Sequence, residues 1–159
     1  MPDHPNPVYM HRAIALATEN VLAGRGGPFA ALIVRDGEVI AEAANSVTTT
    51  NDPTAHGEIN AIRKACAALS CFSLAGCEIY SSCEPCPMCL AAIYWARLDA
   101  VYYGCGQEDA AKAGFDDAFL YKEVSKPPEE RSIPTIKMLG DEAWAAFATW
   151  MKAPTKVDY

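Results

Sequence analysis

The spacing of apolar positions changes several times along this chain, and each change marks an element. Met10, Ile14, Ala17 and Val21 recur at intervals of four, three and four residues, one stripe of an amphipathic helix that Gly24-Arg25-Gly26-Gly27-Pro28 then ends. Residues 29–34 and 39–44 are apolar-rich and flank Asp36-Gly37, a pair whose tolerance of positive φ predicts a tight hairpin. A polar loop over 45–54 leads into a helix over 55–69, on which Glu58, Ile62, Ala65 and Leu69 share one face. A carboxylate therefore points where core is expected. Residues 77–82 read as a strand, 87–97 as a helix and 100–104 as a strand, a β-α-β unit with a parallel pair.

Beyond Gly104 the periodicity weakens. Residues 108–113 and 117–124 read as helices, and the charged, proline-bearing Lys126-Pro127-Pro128-Glu129-Glu130-Arg131 reads as a hinge. Residues 133–139 suit a short strand, and Trp144, Phe147 and Met151 form a helical stripe whose helix Asp141 is placed to cap. That aromatic stripe has to be covered by its own chain or by a partner. The whole pattern predicts an α/β protein, a mixed sheet with helices on its faces, and shows no internal repeat.

Composition narrows the classes. At 159 residues the chain suits one domain, and its apolar runs fall well short of the ~20 residues that span a bilayer. The first seven residues lack the charged-then-apolar order of a secretory signal, so a cytoplasmic protein is expected. The formal charge of −7 provides no general cationic field for a phosphate backbone, so no nucleic acid partner is expected. Seven cysteines is an odd number, and three crowd into Cys83-Glu84-Pro85-Cys86-Pro87-Met88-Cys89, which suits a metal better than a disulfide framework.

Catalytic zinc takes three protein ligands, often His nitrogen and Cys thiolate, and keeps one position open. Cys86 and Cys89 continue one inward stripe with Ile93 and Ala96, and Pro87 suits the first helical position. The positive end of that helix favours thiolates. Cys83 and Cys86 are also a legal pair, but Cys83 falls at a strand end, so 86 and 89 are preferred; Cys66, Cys71, Cys77 and Cys105 read as structural. His56 is the expected third ligand: His4 and His11 have no second ligand nearby, whereas His56 precedes a core-facing carboxylate by two residues and the P-C-x-x-C element by about thirty. Glu58, two residues on, converts a metal site into a catalytic one, because a buried carboxylate beside an open metal can move a proton. H-x-E followed by P-C-x-x-C is the known zinc deaminase signature.

Asn51-Asp52-Pro53-Thr54-Ala55-His56-Gly57-Glu58, with Ser82-Cys83-Glu84-Pro85-Cys86-Pro87-Met88-Cys89, resembles the cytidine deaminase superfamily. Ile93-Tyr94-Trp95-Ala96-Arg97, Ala113-Gly114-Phe115-Asp116-Asp117 and Lys126 to Arg131 extend the likeness, which is strongest to its bacterial guanine deaminases and covers nearly the whole chain. Gly57 departs from the alanine usual there and adds backbone freedom. The resemblance implies a three-layer α/β/α fold, one zinc per subunit on His56, Cys86 and Cys89, and hydrolytic conversion of guanine to xanthine and ammonia. It also implies that Asn45 hydrogen-bonds the base, Phe29 stacks on it, Trp95 helps wall the pocket, Asp117 accepts from N1–H and the 2-amino group, and Tyr159 closes over the site.

Each of these residues has a plainer reading. Asn45 serves equally as a loop cap, Phe29 and Trp95 as core aromatics, Asp117 as a solvated helix-start acid with Asp116 as substitute, and Tyr159 as a chain end. The resemblance further implies a deaminase core over 1–125 and a C-terminal segment over 126–159 exchanged between the subunits of a homodimer. Rival functions are deamination of guanosine, of a related aminated heterocycle such as a triazine, or of tRNA adenosine, and a non-enzymatic zinc module.

Overall fold

The computed structural model describes residues 5–159, so His4 lies outside the described residues. The chain divides into two compact units, Met1–Tyr121 and Lys122–Tyr159. The first carries α1 (Pro7–Leu22), β1 (Ala30–Arg35), β2 (Glu38–Ala44), the short α2 (Val47–Thr50), α3 (Gly57–Leu69), β3 (Cys77–Cys83), α4 (Pro87–Trp95), β4 (Ala100–Cys105) and α5 (Gln107–Lys112). Helix α6 (Asp117–Ser125) runs across the division.

Four strands form one mixed sheet in the order β2-β1-β3-β4, with β1 antiparallel to both neighbours and β3 parallel to β4. The hairpin turns where expected, at Asp36 and Gly37, both with positive φ. Strand β1 is buried on both faces and alternates between two cores. Ala31 and Ile33 pack toward α3 and α4 with Ala61, Ala65, Ile79 and Ile93, while Leu32 and Val34 pack toward α1 with Ala13 and Tyr80. Helices on both faces give the expected three-layer α/β/α arrangement.

Three local expectations are corrected. Only part of the α1 stripe faces the sheet: Ala17 is buried, but Ile14 and Val21 are 49 % and 48 % exposed. Ala13, Ala17 and Asn20 form the buried face instead, because a small-residue stripe lets the helix approach closely and Asn20 has polar partners there. Residues 133–139 form no strand, since Pro134 lacks an N–H and the second unit contains no described strand to pair with. Asp141 does not cap α7 (Gly140–Lys152); Leu139 holds that position, and Asp141 lies in the first turn, where its charge opposes the helix dipole favourably.

The second unit is short. Beyond α6 it has one 3-10 turn over Pro128–Glu130 and then α7. The Glu123 carboxylate pairs with Lys126 and accepts from the N–H and hydroxyl of Ser132, so it braces the proline-bearing stretch from both sides. No helix among the described residues is long and apolar enough to cross a membrane.

Candidate active site

Two helices start at the same point. His56 is the N-cap residue of α3 and Cys86 that of α4, with Pro87 at the first position of α4 and Cys89 in its first turn. Both helices direct unpaired amides and positive dipole ends at the cluster. The ligand atoms of His56, Cys86 and Cys89 all lie within 4.8 Å of one another, the single His/Cys/Asp/Glu group of this kind among the described residues. Tetrahedral zinc with bonds of about 2.3 Å to sulfur and 2.0 Å to nitrogen requires Nδ1···Sγ separations of about 3.5–3.6 Å. The observed values are 3.7 Å to Cys86 and 3.5 Å to Cys89, so three side chains of the right chemistry fit one zinc ion.

Cys86 is held down to about 4, first by the hydrogen bond from the Cys89 thiol and then by His56. Its thiolate in turn raises His56. Cys89 moves up, because it donates to Cys86 and is buried. Zinc binds cysteine as thiolate, so a bound dication would favour deprotonation of both sulfurs. Cys83 is buried outside the cluster, its Sγ faces the Gly106 carbonyl at 4.0 Å, and burial pushes its thiol up to about 11.

Glu58, 5 % exposed, lies in the first turn of α3, and its Oε1 accepts from the Ser81 hydroxyl on β3 at 3.3 Å. Desolvation raises its carboxyl pKa above the usual range. Gly57 also has a packing role: a Cβ there would stand 2.9 Å from the Ala30 Cα. The start of α3 is pressed against the start of β1, and this closeness carries His56 and Glu58 to the cluster.

A cavity of about 460 Å³ opens over the cluster and is lined by residues that include Phe29, Asn45, His56, Glu58, Cys86 and Asp117. Asn45 is buried, and its Oδ1 accepts from Gly27 N–H at 3.3 Å and Val47 N–H at 3.2 Å. Those two bonds fix the amide by its oxygen, and Nδ2 is the remaining donor of a residue that lines the cavity. Asp117, not the exposed Asp116, lines the wall, and burial followed by the nearby Cys86 charge raises its carboxyl. Trp95 does not line this cavity; it is 61 % exposed, with the Arg97 guanidinium 5.8 Å from its ring. The reason is helical phase: at 100° per residue, Trp95 points opposite to Cys86. Tyr159 is exposed at the end of the second unit.

Sequence reasoning missed four supporting residues. Phe115 meets Phe29 edge-on with centroids 4.7 Å apart and completes an aromatic corner of the cavity. Glu84 also lines it, held by the Gln107 N–H and side-chain amide. Tyr121 donates to the Pro85 carbonyl at 2.7 Å and steadies the loop before Cys86. Asn20 donates to the carbonyls of Gly27 and Asn45, and Gly26 beside it is so tightly packed that a Cβ would stand 2.2 Å from the Asn45 carbonyl oxygen. Phe115 and Glu84 sit inside motifs already singled out, which was the available signal; Asn20 and Tyr121 carried none.

Residues 5–105 match the family described as "Cytidine and deoxycytidylate deaminase zinc-binding region". The chain is 55 % identical over 151 residues to a guanine deaminase of Bacillus subtilis, covering 95 % of this chain and 97 % of that one. An X-ray structure of guanine deaminase from Bacillus subtilis superposes with a TM-score of 0.94 at 53 % identity, covering 98 % of this chain and 99 % of that one. A tRNA-specific adenosine deaminase of Agrobacterium fabrum is 49 % identical over 77 residues, covering only 48 % of this chain and 51 % of that one. By that match over residues 5–105 and that near full-length likeness, the chain belongs to the cytidine and deoxycytidylate deaminase zinc-binding family.

Proposed function

We propose that this protein hydrolytically deaminates guanine to xanthine and ammonia. The observation that carries the proposal is a single cavity holding a buried carboxylate beside a zinc-fitting cluster, an amide donor and a second carboxylate as acceptor. The near full-length likeness to a guanine deaminase supports the same reading. His56, Cys86 and Cys89 hold one zinc per subunit, which when bound lowers the pKa of a water to about 7.

Glu58 accepts a proton from the attacking water and delivers it to the ring nitrogen next to C2, then a second proton to the departing amino group. The C2–N bond breaks, ammonia leaves, and the C2 oxygen of xanthine remains. Its raised pKa suits a group that must both take and return a proton, and Ser81 fixes its orientation. Asp117 accepts from guanine N1–H and the 2-amino group, whereas adenine would set an acceptor against it. Asn45 Nδ2 donates to an acceptor on the base, and Phe29, backed by Phe115, packs on its face.

A nucleic acid substrate is disfavoured by charge, since the cavity is lined by Glu58, Glu84 and Asp117 and by no lysine or arginine. The protein works in the cytoplasm as a homodimer that exchanges residues 126–159, in which Tyr159 closes over the site. The exposed apolar face of α7 supports that assembly. The decisive measurement is ammonia release by the zinc-loaded protein from guanine, guanosine, adenine, cytosine, an aminotriazine and tRNA. Guanine should be turned over fastest; activity confined to tRNA would overturn the assignment.

A further inference from the structure

Helix α3 ends in a backbone motif that carries a cysteine at each of its two contacting positions. Ser70 is left-handed, with φ 50° and ψ 38°. The Ser70 N–H bonds to the Ala67 carbonyl at 3.2 Å, and the Cys71 N–H reaches back to the Cys66 carbonyl at 3.0 Å. These two bonds define a Schellman cap, whose hallmark is a side-chain contact between the third residue before the cap and the second after it. Here those residues are Cys66 and Cys71.

We propose that Cys66 and Cys71 form a redox modification site, a dithiol that small-molecule disulfides convert reversibly into an intrachain bridge. The Cys71 N–H to Cys66 carbonyl bond sets the two residues at the positions whose side chains meet in this motif, the neighbourhood a bridge needs. The roles are asymmetric. Cys71 is exposed and meets the reagent, while Cys66 is half-buried against the core and is the resolving thiol. Burial and the neighbouring Cys71 raise the Cys66 thiol, so it is a poor first nucleophile. In balanced form, the Cys71 thiolate attacks glutathione disulfide and releases one glutathione thiolate. Cys66, losing its proton to solvent, then attacks the Cys71 sulfur and releases the second. Two protein thiols are oxidised and one disulfide is reduced.

The other cysteines are placed differently. Cys77 and Cys83 are buried, Cys86 and Cys89 belong to the metal cluster, and Cys105 is exposed on β4 in register with buried Cys83 on β3. The bridge therefore forms at the end of α3 opposite His56 and leaves the metal ligands untouched.

The test treats the zinc-loaded protein with glutathione disulfide, blocks remaining thiols, and maps linkages by mass spectrometry beside a metal assay. Wild type should show a Cys66–Cys71 bridge with no retained glutathione and unchanged zinc. Cys66→Ala should instead retain glutathione on Cys71, and Cys71→Ser should lose the modification at both positions. Should Cys66→Ala lower folding yield, Cys66→Ser provides the same reading. A wild type that keeps the adduct on Cys71, pairs either residue with Cys77 or Cys105, or remains unmodified would overturn the proposal.

Discussion

Burial does two things for Glu58: it raises the carboxyl pKa by desolvation and sets that carboxyl against the ligand cluster, with Ser81 as its hydrogen-bond donor. Glu58→Gln keeps the side-chain volume and no metal ligand is lost, so zinc content should stay at wild-type level while kcat falls about 10²–10⁴-fold. Full turnover in this variant would assign the proton transfer elsewhere. Asp117 is tested by Asp117→Asn, which replaces one acceptor oxygen with a donor facing guanine's own donors. A loss of about 10–100-fold in kcat/KM for guanine is expected, with zinc retained. The pH dependence has a definite sign. Because burial raises the Asp117 carboxyl, its accepting, ionised form is lost as pH falls sooner than it would be for an ordinary aspartate. The KM for guanine should therefore rise on the acid side in wild type, and Asp117→Asn should lack that rise.

At the scale of elements, the site depends on how closely α3 approaches β1. Gly57 permits that approach, and a methyl group there meets backbone, which cannot rotate away as a side-chain tip can. Gly57→Ala should cost about 1–3 kcal/mol of stability, as overpacking of a close contact does, and should loosen zinc because His56 is the adjacent residue. Denaturant unfolding together with a metal-competition assay checks this; unchanged values in both would show that α3 can slide without penalty. Elements also explain where reading the sequence succeeded. The hairpin at Asp36-Gly37, the β-α-β unit and the stripe of Cys86, Cys89, Ile93 and Ala96 are set by local turn chemistry and helical period, so they were legible. The α1 face was misjudged because its burial follows small residues and Asn20 rather than the largest apolar side chains.

Across the whole molecule, Trp144, Phe147 and Met151 form an exposed apolar face on α7, with the first two rings 5.5 Å apart. A face of this kind calls for a partner. Light scattering at micromolar concentration should give a dimer for the wild-type chain, and Trp144→Ser with Phe147→Ser should shift it to monomer; a monomeric wild type would remove the proposed exchange. The chain's linear order by itself made the metal chemistry legible, since Cys86-x-x-Cys89 puts two sulfurs on one face of a helix start and His56-x-Glu58 sets a ligand and a carboxylate together at the start of another. It also determined the hairpin and the parallel pair, through turn residues and hydrophobic period. Only the tertiary structure decided that Cys83 lies outside the cluster, that Asp117 rather than Asp116 lines the cavity, and that Phe115, Glu84, Asn20 and Tyr121 support it. Those outcomes depend on contacts between residues far apart in the chain, whose directions are fixed when β1, α3 and α4 pack together and which no local period encodes.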